Sequence, residues 1–160
     1  MDELLNHSNR GAEPFGLETS RLDRARSLDA LHELELVTGS AAPGRETQWL
    51  KDVREALAIL EAALGTQQMN ASNTKSAFSD IEQDAPRLAR RVVQLRDQYG
   101  NLSEAARELR IVVDAAAPES LDVADLRRHL EQLGTELRYL RGREADLIYE
   151  AYTVDLGVGD

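Results

Sequence analysis

Apolar residues recur along this chain at helical spacing in four long stretches, and glycine or proline punctuates the intervals between them. The last stretch is the most regular. Over residues 121–152, Leu126, Leu130, Leu133, Leu137, Leu140, Leu147, Ile148 and Ala151 share one arc of a 3.6-residue wheel, while Arg127, Arg128, Glu136, Arg143 and Asp146 point mostly elsewhere. One acid, Glu144, falls inside the leucine arc. A carboxylate facing a core has to be paired, protonated or coordinated.

The other three stretches read in the same way. The first helix is expected to start at a capping Thr19 or Ser20 and run to about Val37. Its stripe is Leu22, Ala25, Leu28 and Leu36, with His32 inside the arc, Asp29 near its edge, and Leu31 and Leu34 widening the apolar surface. Gly39, Pro43 and Gly44 end it. The second starts near Glu46 and carries the tightest stripe, Trp49, Leu50, Val53, Leu57, Leu60 and Leu64. Past Gly65 the composition turns polar, yet Gln67, Ala71, Phe78 and Ile81 keep the phase set by Trp49. One long helix, distorted over residues 65–74, is therefore expected to reach Gln83. Asp84 as cap and Pro86 in the first turn restart the chain. The third helix then presents Leu88, Val92, Leu95, Tyr99, Leu102, Ala106, Leu109 and Val113 on one face, and Ser120 can cap the fourth. Gly100 lies within the third helix and weakens it by about 1 kcal/mol unless close packing requires it. Residues 1–17 and 154–160 read as tails around a domain of residues 18–153. Four amphipathic helices with short connections predict an all-α fold, an antiparallel up-down-up-down four-helix bundle.

Composition supports helices over sheet, because aromatic and β-branched residues are scarce beside leucine and alanine. No cysteine is present, which removes disulfides, thiolate metal sites and a thiol nucleophile, and fits a reducing compartment. A net charge of −10 argues against nucleic acid as a partner. The arginines between Arg87 and Arg96 and between Arg138 and Arg143 alternate with apolar positions and read as solvated faces or ion pairs. No apolar run is long enough to span a bilayer, and the acidic start, with Asp2 and Glu3, shows no signal-peptide pattern. A cytoplasmic protein is expected, with no membrane partner. The glycosylation patterns at Asn70 and Asn101 then read as chance.

Bundles hold ligands between facing helices, so inward polar residues are the candidates for chemistry. The wheels nominate a cluster of one per helix: His32, Gln67, Tyr99 and Glu144. Each also has an ordinary reading: His32 bonded to a carbonyl, Tyr99 as amphipathic filler, Gln67 exposed on a frayed helix, Glu144 paired with Arg141 three residues earlier. His7 lies in the tail and reads as exposed, and His129 lies at the edge of its stripe. A carboxylate-bridged di-iron bundle needs two Glu-x-x-His units. The chain has none, and Asp29 with His32 and Glu35 supplies at most a half-site. A mononuclear site from His32, Glu144 and one further oxygen is the remaining metal arrangement. Phosphate-binding loops, zinc-protease motifs and nucleophile elbows are absent, and no nucleophile stands beside a base.

The order Trp49, Val53, Leu57, Leu60, a polar break, Phe78, Ile81, Pro86, Arg87, Leu88, Val92, Leu95, and finally Glu144, Leu147, Ile148, Glu150 and Ala151 resembles the bacterial hemerythrin-like proteins. The resemblance covers roughly residues 22–152. It implies an up-down four-helix bundle of the kind that holds a non-haem di-iron centre through inward histidines and carboxylates, and that binds or senses oxygen. His32 stands where that family's first helix supplies a histidine. The second-helix pair falls on Gln67 and Ala71, the third on Tyr99 and Ser103, and the fourth on Arg141 and Asp146, with Glu144 the more inward acid. The resemblance thus implies the scaffold as a degenerate member, with Gln67, Tyr99 and Glu144 refilling the metal site. The expectation is a non-catalytic interaction or regulatory module with no cofactor and no metal, working as a monomer or homodimer with a protein partner. The alternative is a metal- or small-molecule-binding bundle, sensing oxygen or redox state, that uses His32 and Glu144. A homodimer would use Leu31, Leu34 and Tyr139, which lie off the main arcs.

Overall fold

The computed structural model describes residues 15–155 of the 160 in the chain. His7 and the rest of residues 1–14, and residues 156–160, lie outside them. Among the described residues the fold is all-helical, without a strand. Four long helices, α1 (Phe15–Gly39), α2 (Glu46–Ala71), α4 (Ala89–Ala115) and α5 (Val123–Glu150), are joined by a short one, α3 (Ala77–Asp84), between α2 and α4. Helix α1 packs on α2, α2 on α4, α4 on α5, and α5 returns to α1, so the apolar faces close on one another in a ring. The core is mostly leucine, with Trp49, Phe78, Ile81 and Tyr99 adding the larger side chains.

Three local expectations change. Helix α2 does not run on to Gln83 but stops at Ala71. The Asn73 side chain accepts from the Lys75 amide at 2.9 Å, and Ser76 caps α3 by accepting from the Ser79 amide at 3.1 Å while its own hydroxyl donates to the Ala71 carbonyl at 3.0 Å. Short polar side chains that bond nearby backbone end a helix in this way. Phe78 and Ile81 are buried all the same, because α3 lays its apolar side on the same core. Ala85, not Asp84, precedes the tight turn Pro86–Leu88 that leads into α4, and Asp122, not Ser120, caps α5 by accepting from the Asp125 amide at 3.0 Å. Helix α1 already includes residues 15–17, which sequence assigns to the tail.

The larger change is the phase of α1. Leu31 and Leu34 are each 1 % exposed, whereas Leu28 is 42 % exposed and Leu22 and Leu36 more so. The buried line runs Gly16, Asp23, Ser27, Ala30, Leu31, Leu34 and Thr38, helical in spacing but polar over its first half. His32 therefore faces solvent, and Leu31 and Leu34 belong to the core rather than to a dimer face.

Helix ends are held from outside their own helices. None of α1, α2 and α4 has a basic residue in its last turn, where the carbonyls lack partners. Arg127 of α5 reaches the Thr38 and Ser40 carbonyls at the end of α1 at 2.9 and 2.6 Å, and its guanidinium covers the Trp49 ring. Arg54 of α2 reaches the Val113 and Ala116 carbonyls at the end of α4 at 3.0 and 2.9 Å. Arg96 of α4 reaches the Ala71 carbonyl at the end of α2 at 3.2 Å. The planar fork of arginine suits this capture of two carbonyls at once.

At the other end of α1, backbone meets backbone. A side-chain carbon on Gly16 would lie 2.5 Å from the Ala77 nitrogen and the Lys75 carbonyl oxygen. Gly16→Ala is accordingly expected to destabilise the fold by about 1–3 kcal/mol, against the usual gain from replacing a helical glycine. Chemical denaturation of the two proteins measures it, and an unchanged midpoint would show that α1 does not rest on the start of α3.

Candidate functional site

Between α1, α2, α4 and α5 lies a buried polar cluster centred on Glu144, which is 3 % exposed. The leucines before and after it fix the α5 face that carries it, so the acid points inward. Tyr99 of α4 donates to Glu144 Oε2 at 2.6 Å, and Ser20 of α1 donates to Glu144 Oε1 at 3.2 Å. One turn earlier on α5, Arg141 is 6 % exposed. Its Nη2 donates not to Glu144 but to Gln67 Oε1 of α2 at 3.0 Å, and lies 3.5 Å from the Asp23 carbonyl oxygen. Ser27 Oγ also contacts Gln67 Oε1 at 3.2 Å and the Asp23 carbonyl at 3.0 Å. Asn70 Nδ2 holds both carboxylate oxygens of Asp23, at 3.1 and 3.0 Å.

Of the four residues nominated from sequence, Gln67, Tyr99 and Glu144 converge, and His32 does not join them because it lies on the outer face of α1. Its place is taken by Ser20, Asp23 and Ser27. None of these three, nor Asn70, is assigned to the cluster from sequence, and Arg141 enters there only as a pairing partner for Glu144, whereas its Nη2 bonds Gln67. The available signal was their spacing: 20, 23, 27, 31, 34 and 38 step at three and four residues, and Arg141 falls between Leu137 and Glu144 on the leucine arc. The neighbouring arginines behave as anticipated for ion pairs. Arg138 makes a two-pronged pair with Glu35 at 2.8 and 2.7 Å, Arg87 pairs with Glu150 at 2.7 Å, and Arg91 pairs with Glu150 as well.

Burial sets the electrostatics. It raises the Glu144 carboxyl above its ordinary range, against the opposing pull of the Tyr99 hydrogen bond and the Arg141 and Arg24 charges. Burial, then the Glu144 charge, raises Tyr99, which stays a phenol and a donor. Burial lowers Arg141 from a starting value so high that it stays cationic. Two of its three nitrogens, Nε and Nη1, are buried without a hydrogen-bond acceptor.

A raised carboxyl fixes the sign of a pH effect. Between its unfolded and folded pKa the native state binds the extra proton, so this group's contribution is greatest at low pH and is lost as pH rises through the folded value. Relative to Glu144→Gln, the parent protein should therefore gain stability as pH falls from 8 towards 5. Unfolding free energies of both proteins across that range measure it, and parallel curves would show that Glu144 titrates as if exposed.

The donor set does not fit a di-iron centre. It offers Glu144, an Asp23 carboxylate already held by the Asn70 amide, a phenol and the Gln67 amide, with no imidazole, and places an under-bonded guanidinium among them. A dication is repelled by that charge. Among the described residues no three His, Asp or Glu side chains gather closely enough to hold a metal ion. Beside the cluster is a cavity of about 70 Å³ lined by Ser20, Asp23, Gln67, Asn70 and Glu144 among others, with room for a few ordered waters.

Among the described residues no helix is long and apolar enough to cross a membrane. In comparisons with known proteins, no family model, no curated protein and no solved structure matches this chain.

Proposed function

We propose that the protein is a non-catalytic interaction module, an up-down four-helix bundle of hemerythrin-like shape in which a self-bonded polar cluster replaces the di-iron centre. One observation carries the reading: the interior is occupied by Arg141 and Glu144 already bonded to Gln67, Tyr99 and Ser20 of the same chain. The ring of four long helices supports the scaffold, and large apolar side chains outside the core, Ile59, Met69, Val112 and Tyr149 among them, supply contact surface for a partner. Metal analysis of protein purified from iron-replete cells tests it. Iron well below one atom per chain and no oxo-bridge absorption is the expected result, and near-stoichiometric iron with that absorption ends the proposal.

A second reading, small-molecule binding, is favoured by the two buried carboxylates, Asp23 and Glu144, that line the cavity. It does not involve His32. Its test is a thermal-shift screen with methylammonium and guanidinium salts: a rise in Tm that Glu144→Gln abolishes supports it, and no rise removes it.

A further inference from the structure

The end of α4 and the start of α5 stand apart and leave a groove of about 720 Å³. Helix α4 carries two apolar lines. Leu102, Ala106 and Val113 enter the core, while Ala105, Leu109 and Val112 turn towards the groove, and Val112 is 61 % exposed. Leu121, Leu126 and Leu133 complete the floor from the other side. The rim is acidic: Glu108 on α4, and Asp122, Asp125 and Glu136 on α5. No lysine or arginine lines it, although the chain has 19 of them. Asp125 is bonded to Arg128 and lies beside His129, which also lines the groove, and the Asp122 carboxylate caps its helix, which leaves Glu108 of α4 and Glu136 of α5 as the acids on the two walls of an apolar floor. At 1.5 Å per residue, the lining segments of α4 and α5 extend for about 15 and 21 Å, the length of a helix of about 10–14 residues.

An apolar floor between acidic walls is complementary to an amphipathic helix with a leucine-type stripe and basic flanks. We infer that this groove docks such a helix from a partner protein. The inference rests on the interaction-module reading and names the surface that reading requires.

The probe is a 14-residue peptide with leucines at i, i+3, i+7 and lysines or arginines flanking them, titrated into the full-length isotope-labelled protein beside an acid-flanked version. The basic peptide should shift the amide signals of Leu109, Val112, Leu121 and Gln132, and should weaken about tenfold between low and moderately high salt, as screening of exposed charges requires. The double variant Val112→Lys/Glu136→Lys, on exposed positions, should lose about tenfold in affinity with an unchanged unfolding midpoint. Equal binding of the acid-flanked peptide, shifts confined to another face, or a double variant that binds like the parent would each overturn the groove. A photo-reactive residue placed at Val112, Ile59 or Tyr149 in cells separates the two levels. Capture only from Ile59 or Tyr149 retains the module and overturns the groove, whereas no capture from any of the three overturns both. A second copy of the chain captured at Val112 overturns the foreign partner in favour of self-association.

Discussion

Glu144→Leu is expected to cost the fold about 3–5 kcal/mol, the range for breaking a buried charge cluster from one side. The leucine would suit the arc it sits in, so the loss comes from what the carboxylate leaves behind. Tyr99 Oη loses its acceptor in the buried interior and Ser20 Oγ loses its acceptor at the edge of the cavity, and a donor stranded by burial costs about 1–3 kcal/mol. Arg141, already short of acceptors at Nε and Nη1, loses the neighbouring charge that favours its ionised form. The companion variant removes the three most deeply bonded groups at once: Glu144→Leu/Arg141→Met/Tyr99→Phe should recover most of the loss, because apolar packing needs no compensation. Urea denaturation at constant m separates these outcomes. A single variant as stable as the parent would mean that the cluster is loosely hydrated and that its bonds contribute nothing to the fold.

Leu31→Ala is expected to cost about 2–5 kcal/mol, while Leu28→Ala, three residues away on the same helix, should stay within about 0.5 kcal/mol. Both remove the same atoms, so the difference reports only which way α1 faces. Leu31 is enclosed and packs against Gly134 of α5, where an added side-chain carbon would lie 3.2 Å from the Leu31 methyl. Leu28, at 42 % exposed, lies outside the enclosed core. His32→Ala should behave like Leu28→Ala, since His32 shares the outer face. Thermal or urea unfolding of the three variants measures this, and a large loss from Leu28 or His32 would restore the leucine stripe of Leu22, Leu28 and Leu36 as the core face.

That pair of leucines also shows what sequence could and could not reveal. In α4 and α5 the core line is apolar but for Tyr99, Arg141 and Glu144, so the wheel locates it, and with it the inward placing of Tyr99 and Glu144. Helix α1 spends the first half of its buried face on Asp23 and Ser27, and a search for apolar periodicity necessarily followed Leu22, Leu28 and Leu36 to the wrong side. A buried polar line is visible only once its partners are known, and those partners, Gln67, Asn70 and Arg141, lie on two other helices. Gln67 faces inward because α2 keeps the phase of Trp49 as far as Ala71; Phe78 and Ile81 share that phase by packing on the same core from a separate helix. Arg141 shares the leucine arc with Leu137 and Glu144, but an arginine among other arginines reads as surface, so its charge masks that position.

The arginines that hold helix ends have a mechanical consequence. Arg127, Arg54 and Arg96 are each rooted in one helix and anchored on another's last carbonyls. Fraying at one terminus therefore releases a side chain that belongs to a different segment, and tilting that segment pulls its grip from the terminus. Small local openings are linked into larger ones, so the bundle resists piecemeal loosening and yields as a unit.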